Sequence, residues 1–174
     1  PETFIPKNYM TKIIIHYFTG TGNTAHAVKL VSEKLKAEGC QVDLLQVKKG
    51  VAPPAEKYDQ HIIAFPVLSW AAPVLMKRYV RKMRVAEGTP AAILAVNGAI
   101  IYNGKLVKGY TGQALWQLEN ILRRKKYDVF LTGNASYPDN WTQMTNPCSR
   151  EDTDVIMPLG DAEVNSFIGK FTER

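Results

Sequence analysis

The feature that most constrains this chain is a β-branched apolar run, Lys12-Ile13-Ile14-Ile15-His16-Tyr17. It ends at Thr19-Gly20-Thr21-Gly22-Asn23-Thr24 and passes at once into a helical pattern. A strand that is apolar on both faces must be covered on both faces, which is the condition of a parallel sheet in an α/β domain. From Asn23 to Glu38 the residues Ala27, Val28, Val31 and Leu35 recur at helical spacing, and Gly39 supplies a C-terminal stop. A glycine-rich turn between such a strand and such a helix gathers backbone N–H groups and the positive end of the helix dipole at one point.

The alternation continues along the chain. Gln41 to Val47 and Gln60 to Val67 read as the second and third strands, separated by the Pro-rich stretch Val51-Ala52-Pro53-Pro54. A second helix is expected from Pro73, burying Met76, Val80 and Met83. A fourth strand spans Ala91 to Val96, a third helix about Thr111 to Arg124, and a fifth strand Tyr127 to Thr132. The segment from Gly133 to Leu159 is expected to be irregular and packed as a lid, with the last helix starting near Asp161. This order predicts a doubly wound five-stranded parallel sheet that binds ligands beyond the carboxyl ends of its strands. At 174 residues and 45% apolar, the composition fits one domain over residues 10–174. Residues 1–9 read as an N-terminal extension, a processed end or an expression remnant, with Met10 the expected native start.

Three ligands compete for the first loop. A triphosphate-binding loop needs a lysine after its last glycine, and none is there. The dinucleotide spacing G-x-G-x-x-A is present as Gly20, Gly22 and Ala25. Its usual ribose-binding acid is missing from the end of strand two, where Gln46, Val47 and Lys48 stand; Lys48 and Lys49 would suit a 2′-phosphate and keep an NADP-type alternative. The third reading uses the hydroxyls of Thr19, Thr21 and Thr24 and the bare backbone at Gly20 and Gly22 as a neutral anion cradle. The Thr19-x-Thr21-Gly22-Asn23-Thr24 pattern resembles the phosphate loop of flavodoxins, which implies FMN. The bland alternative is a tight turn whose Thr and Asn side chains only cap the helix.

Two further loops leave the same edge of the sheet. Pro66-Val67-Leu68-Ser69-Trp70-Ala71-Ala72-Pro73 is too apolar for an ordinary exposed loop. Trp70 is the candidate to stack on a flat ring, with Val67 and Leu68 beside it; core packing of Trp70 is the alternative. In Asn97-Gly98-Ala99-Ile100-Ile101-Tyr102-Asn103-Gly104, the backbone of Asn97 to Ile100 is placed to pair with the ring's polar edge. Tyr102 is expected on the opposite face of the ring, and a surface hairpin with an exposed tyrosine is the alternative.

Four motifs together are similar to the flavodoxin-like domain that heads bacterial flavodoxin-ferredoxin fusion proteins, over about Lys12 to Phe171. They are T-G-T-G-N-T, the P-V-x-x-x-x-x-P pattern from Pro66 to Pro73, the Asn-Gly turn after strand four, and Tyr137-Pro138-Asp139-Asn140-Trp141. The resemblance implies strand order 2-1-3-4-5 with helices on both faces, non-covalent FMN, and low-potential electron transfer to a redox partner protein. It also implies a rim of Pro138, Asp139, Asn140 and Trp141 near the flavin. Two features depart from that pattern: no cysteine quartet follows the last helix, and the chain is basic, at +6 and pI 9.3. An acidic ferredoxin supplied by another chain is the expected partner.

The cations cluster as Lys77, Arg78, Arg81, Lys82 and Arg84, and as Arg123-Arg124-Lys125-Lys126. They read first as solvated helix faces and second as a steering surface for an acidic redox protein. Aromatic interleaving is missing, so nucleic acid is not expected. No apolar stretch approaches the roughly 20 residues of a membrane span. Cys40 and Cys148 read as structural thiols of a cytoplasmic protein, and no metal-ligand spacing is present. His16, His26 and His61 read as structural, and no side chain is assigned a catalytic role. The leading function is electron carriage by FMN. The alternatives are an FMN-dependent oxidoreductase reducing a quinone or similar small acceptor, and a flavin-free interaction module.

Overall fold

Burial on both sides places the Lys12–Tyr17 strand (β1) inside the sheet: Ile13, Ile14, Ile15 and His16 are all 1% exposed or less. The computed structural model describes residues 10–141 and 146–173, so the expected extension, residues 1–9, lies outside the described residues. After β1 come α1 (Asn23–Ala37), β2 (Gln41–Gln46), β3 (Gln60–Pro66), α2 (Val74–Lys82) and β4 (Pro90–Tyr102). The chain continues through β5 (Lys105–Lys108), α3 (Ala114–Arg124), β6 (Asp128–Pro138) and α4 (Arg150–Thr172).

β1 pairs in parallel with β2 on one side and β3 on the other; β3 pairs with β4, and β4 with β6. The parallel order β2-β1-β3-β4-β6 is the expected 2-1-3-4-5, the last strand being renumbered because a short antiparallel strand precedes it. Side chains alternate between two cores. Ile13, Ile15, Ile62, Ala64 and Leu94 meet α1 and α4 on one face, and Ile63, Phe65, Ile93 and Ala95 meet α2 and α3 on the other. Each large aliphatic side chain buried this way contributes about 1.5–3 kcal/mol.

Three expectations need correction. The stretch after strand four is a hairpin: β4 runs on to Tyr102, turns through Asn103 (φ 49) and Gly104 (φ 70), and returns as β5. Asn-Gly accepts the left-handed dihedrals that a two-residue hairpin turn demands. The segment expected to be irregular is largely ordered: residues 133–138 belong to β6 and 150–159 to α4. Gly133, Asn134 and Ser136 carry loop chemistry, yet the stretch pairs with Leu94 to Asn97, Ser136 N donates to Glu163 Oε2 at 2.6 Å, and Ala135 and Tyr137 are buried. α4 begins at Arg150, where Ser149 Oγ accepts from Asp152 N at 3.0 Å, although Pro158 interrupts its ladder.

A buried hydrogen-bond chain crosses the α2 side of the sheet. His16 Nδ1 lies 2.8 Å from Tyr79 Oη, and His16 Nε2 lies 3.0 Å from His61 Nδ1. The imidazoles are parallel at 5.2 Å, and Tyr127 meets His61 edge-on. Burial, followed by His61 for His16 and by Arg84 for His61, holds both well below the ordinary histidine range. The unfolded chain therefore takes up protons first, near pH 6.5, so stability is complete above that value and declines as pH falls. Unfolding free energy from denaturant titration should drop by about 2–4 kcal/mol between pH 7 and pH 5. His61→Gln should make the slope shallower; a pH-independent stability would contradict this assignment.

Candidate functional site

The first loop leaves β1 with Phe18 N donating to Ala64 O, which continues the ladder one step beyond the strand. Gly22 then takes φ 110 as the N-cap of α1, a left-handed conformation costly for any residue with a Cβ. No side chain caps the helix, and its first turn holds no carboxylate, while Lys34 and Lys36 occupy the last turn. The positive end of the dipole is thus left uncompensated by the helix's own side chains. Thr24 Oγ1 is buried there without a hydrogen-bond partner. A buried hydroxyl in this state costs about 1–3 kcal/mol, and a bound acceptor removes the cost. Thr19 Oγ1 accepts from Gly22 N at 3.1 Å, fixing the loop internally.

The second loop is a miniature hairpin. Leu68 and Ala71 exchange two backbone hydrogen bonds of 3.0 Å around Ser69 (φ 47) and Trp70 (φ 59). Two adjacent residues with side chains in the left-handed region cost about 1–3 kcal/mol each, so something must hold them. The start of α3 does so: Gln113 N donates to Trp70 O at 2.9 Å, and Ala72 N donates to Gln117 Oε1 at 3.1 Å. Gly112 permits the contact, because a Cβ there would sit 2.5 Å from Trp70 Cβ and O. Trp70 is 51% exposed, which excludes the core-packing alternative.

The third loop is the root of the β4–β5 hairpin. Asn97 is buried and its amide is consumed there, donating to Gly109 O and Ser136 Oγ at 3.0 Å and accepting from Asn134 Nδ2 at 3.2 Å. Tyr102 is misassigned in the sequence reading. It lies 64% exposed at the hairpin tip, outside the cleft. Tyr110, just beyond β5, takes the position instead, its ring 6.2 Å from that of Trp70 at an interplanar angle of 25°. A Tyr two residues after an apparently exposed strand carries no periodic signal; only the hairpin's return brings it back over Trp70.

These loops enclose one cleft of about 720 Å³ at the carboxyl ends of β1, β3 and β4, within the range of small-molecule sites. Thr19, Gly20, Thr21, Asn23 and Thr24 line it from the first loop, and Pro66, Val67, Leu68, Ser69 and Trp70 from the second. Asn97, Gly98, Ala99 and Ile100 line it from the third; Gly22 stands behind the loop and shapes it. Pro138, Asp139, Asn140 and Trp141 form the rim that the resemblance implies. The rim is bolted to the first loop, since Asn23 Nδ2 donates to Pro138 O at 2.9 Å and Asn140 Nδ2 donates to Thr21 Oγ1. Phe18, Val96, Val107, Lys108, Gly109 and Tyr110 also line the cleft without having been expected there from the sequence. Lys108 is paired at 2.5 Å with Glu163, so the cation that lines the cleft is already compensated.

Neither a protein-family model nor a curated protein sequence matches the chain. Solved structures do. Oxidised flavodoxin 2 from Bacillus cereus matches with a TM-score of 0.57 at 18% identity, covering 90% of this chain and 100% of that one. This chain has the flavodoxin fold. A mutant flavodoxin from Fusobacterium nucleatum, bound to flavin mononucleotide, matches with a TM-score of 0.56 at 15% identity, covering 92% and 97% of the two chains. Rubredoxin:oxygen oxidoreductase from Desulfovibrio gigas matches at 0.51 and 12% identity, over 92% of this chain and 37% of that one. The flavodoxin fold thus accounts for the strand order and for the convergence of the three loops.

The orphaned hydroxyl makes a direct prediction for the ligand-free protein. Thr24→Val keeps the shape and removes the unpaired polar atom, so the melting temperature should rise by a few degrees. A fall would mean that Thr24 Oγ1 already has a stabilising partner.

Proposed function

We propose that the chain binds FMN non-covalently in this cleft and serves as a low-potential electron carrier. The observation that carries the reading is the pairing of two features in one cavity. An uncapped helix N-terminus with the orphaned Thr24 hydroxyl stands at one end, and two facing aromatic rings stand at the other. The F. nucleatum flavodoxin bound to flavin mononucleotide supports the choice of ligand.

The first loop would hold the phosphate through Thr19, Thr21 and Thr24 and the free N–H groups of the α1 first turn, without a lysine. Trp70 and Tyr110 would take the two faces of the ring. A flat ring between them needs the two planes about 7 Å apart, twice the usual ~3.5 Å carbon–carbon contact, and both side chains are exposed enough to part to that spacing. The backbone of Gly98 to Ile100 would meet the polar edge, kept in place by the Asn97 network. FMN itself supplies the electron chemistry when bound. The protein contributes position and dielectric.

Carriage is favoured over reduction of a quinone by the position of Tyr110. Stacked over Trp70, it fills the place where a second substrate would lie against the ring. Purified protein mixed with FMN should develop a visible flavin spectrum and quench flavin fluorescence. Trp70→Ala or Tyr110→Ala should weaken binding by roughly 5- to 10-fold each, the scale of one aromatic contact. Protein that retains no flavin absorbance once free FMN is removed by gel filtration, and leaves flavin fluorescence unquenched, overturns the FMN reading. Rapid turnover of NADH or NADPH with quinones, with no added reductase, overturns the carrier reading alone.

A further inference from the structure

We propose that the outer face of α2 and α3 docks on an anionic phospholipid surface. Residues 74–87 and 113–126 together hold nine Lys and Arg and only two carboxylates, Glu87 and Glu119. Their net +7 exceeds the +6 of the whole chain, so the rest of the protein is slightly acidic and the basic character belongs to these two segments, of whose cations Arg84 turns toward the pocket of His16 and His61. The two helices lie side by side on the sheet. Lys77 Nζ reaches Gln117 Oε1 at 3.4 Å, and Ala86 N and Gly88 N donate to Lys125 O and Lys126 O. The two stretches therefore form a continuous surface. Among the described residues only Arg123 of the nine is ion-paired, to Glu119.

Charge alone does not choose a partner, but the apolar residues among these cations do. Val74, Val85 and Trp116 are 57%, 58% and 64% exposed on the same pair of segments. Basic side chains interspersed with an exposed Trp and aliphatic groups are the composition of an interfacial membrane contact, in which Trp sits at headgroup level. Both helices are packed lengthwise on the sheet, so neither projects as a reading helix does into a DNA groove. No helix among the described residues is long and apolar enough to cross a membrane, so the contact is peripheral. The proposal is independent of FMN, because the face lies on the flank of the sheet and the cleft at its edge.

The test is co-sedimentation of the full chain with phosphatidylglycerol–phosphatidylcholine vesicles and with pure phosphatidylcholine vesicles. Binding is expected only to the anionic vesicles, weakening as salt rises. The triple variant Arg78→Gln, Arg81→Gln, Arg124→Gln should lose about 100-fold in affinity, at about 5-fold per cation. Lys34→Gln, Lys36→Gln, Lys170→Gln removes the same charge from the opposite face and should change binding little. A lipid-induced blue shift in tryptophan emission should vanish in Trp116→Phe. Absence of binding at low salt, or equal loss in both triple variants, overturns the proposal. So does tighter binding to polyglutamate or to duplex DNA that the first variant abolishes, which would assign the face to an acidic protein or to nucleic acid.

Discussion

The parallel register of β1, β3 and β4 sets everything else in place. Tyr17 pairs with Ala64, and Pro66 with Val96, so β1, β3 and the buried stretch of β4 reach nearly the same level and the segments that follow share one edge. The register is itself fixed by burial. A slip of one residue would exchange Ile13 and Ile15 for Ile14 and His16 across the sheet, and His16 would lose both of its hydrogen-bond partners. A sheet covered by helices on both faces leaves that edge as the place where irregular backbone can meet a ligand.

Several local costs of the structure fall at the same edge, although the unpartnered Gln60 Oε1 and Tyr127 Oη and the left-handed Lys126 lie away from it. Thr24 hides an unpaired hydroxyl, α1 starts without a cap, and Ser69 and Trp70 hold left-handed dihedrals. None of these helps the ligand-free fold, and each is offset by rigid surroundings: the α1–α4 core beneath the first loop, and the start of α3 beneath the second. Such costs make sense where a ligand recovers them. The buried His16–His61 chain has the opposite character, since both ring nitrogens of His16 are paired and the imidazoles are packed face to face, although Tyr127 Oη beside them has no hydrogen-bond partner.

Much of this was legible in the sequence, for physical reasons that differ from residue to residue. Strand β1 and helix α1 carry strong periodic signals, and the Thr-Gly turn between them carries the hydroxyls and bare backbone of an anion cradle. Fourteen of the sixteen predicted contact residues line the cleft because they occupy loops whose convergence follows from strand order. For Tyr102 the alternative of a surface hairpin with an exposed tyrosine is the one that forms, because Asn103-Gly104 is a strong two-residue turn, and the hairpin carries Tyr102 outward and Tyr110 inward. The start of α4 was hidden by Pro158 and Gly160, which break helical periodicity. The Ser149–Asp152 capping signal was present in the sequence all along. The joining of two basic stretches into one face needed the third dimension, since 74–87 and 113–126 are far apart in the chain.

The central claim is that the first loop is a phosphate site and the aromatic pair a ring site. It is tested most directly by comparing the affinities of FMN and riboflavin for the ligand-free protein and for Thr24→Val. One charge-assisted hydrogen bond contributes about 1.5–3 kcal/mol, so FMN should bind at least 10-fold more tightly than riboflavin, and Thr24→Val should narrow that gap by a similar factor. Equal affinities for the two flavins, or an equal loss of both on Thr24→Val, would contradict the account.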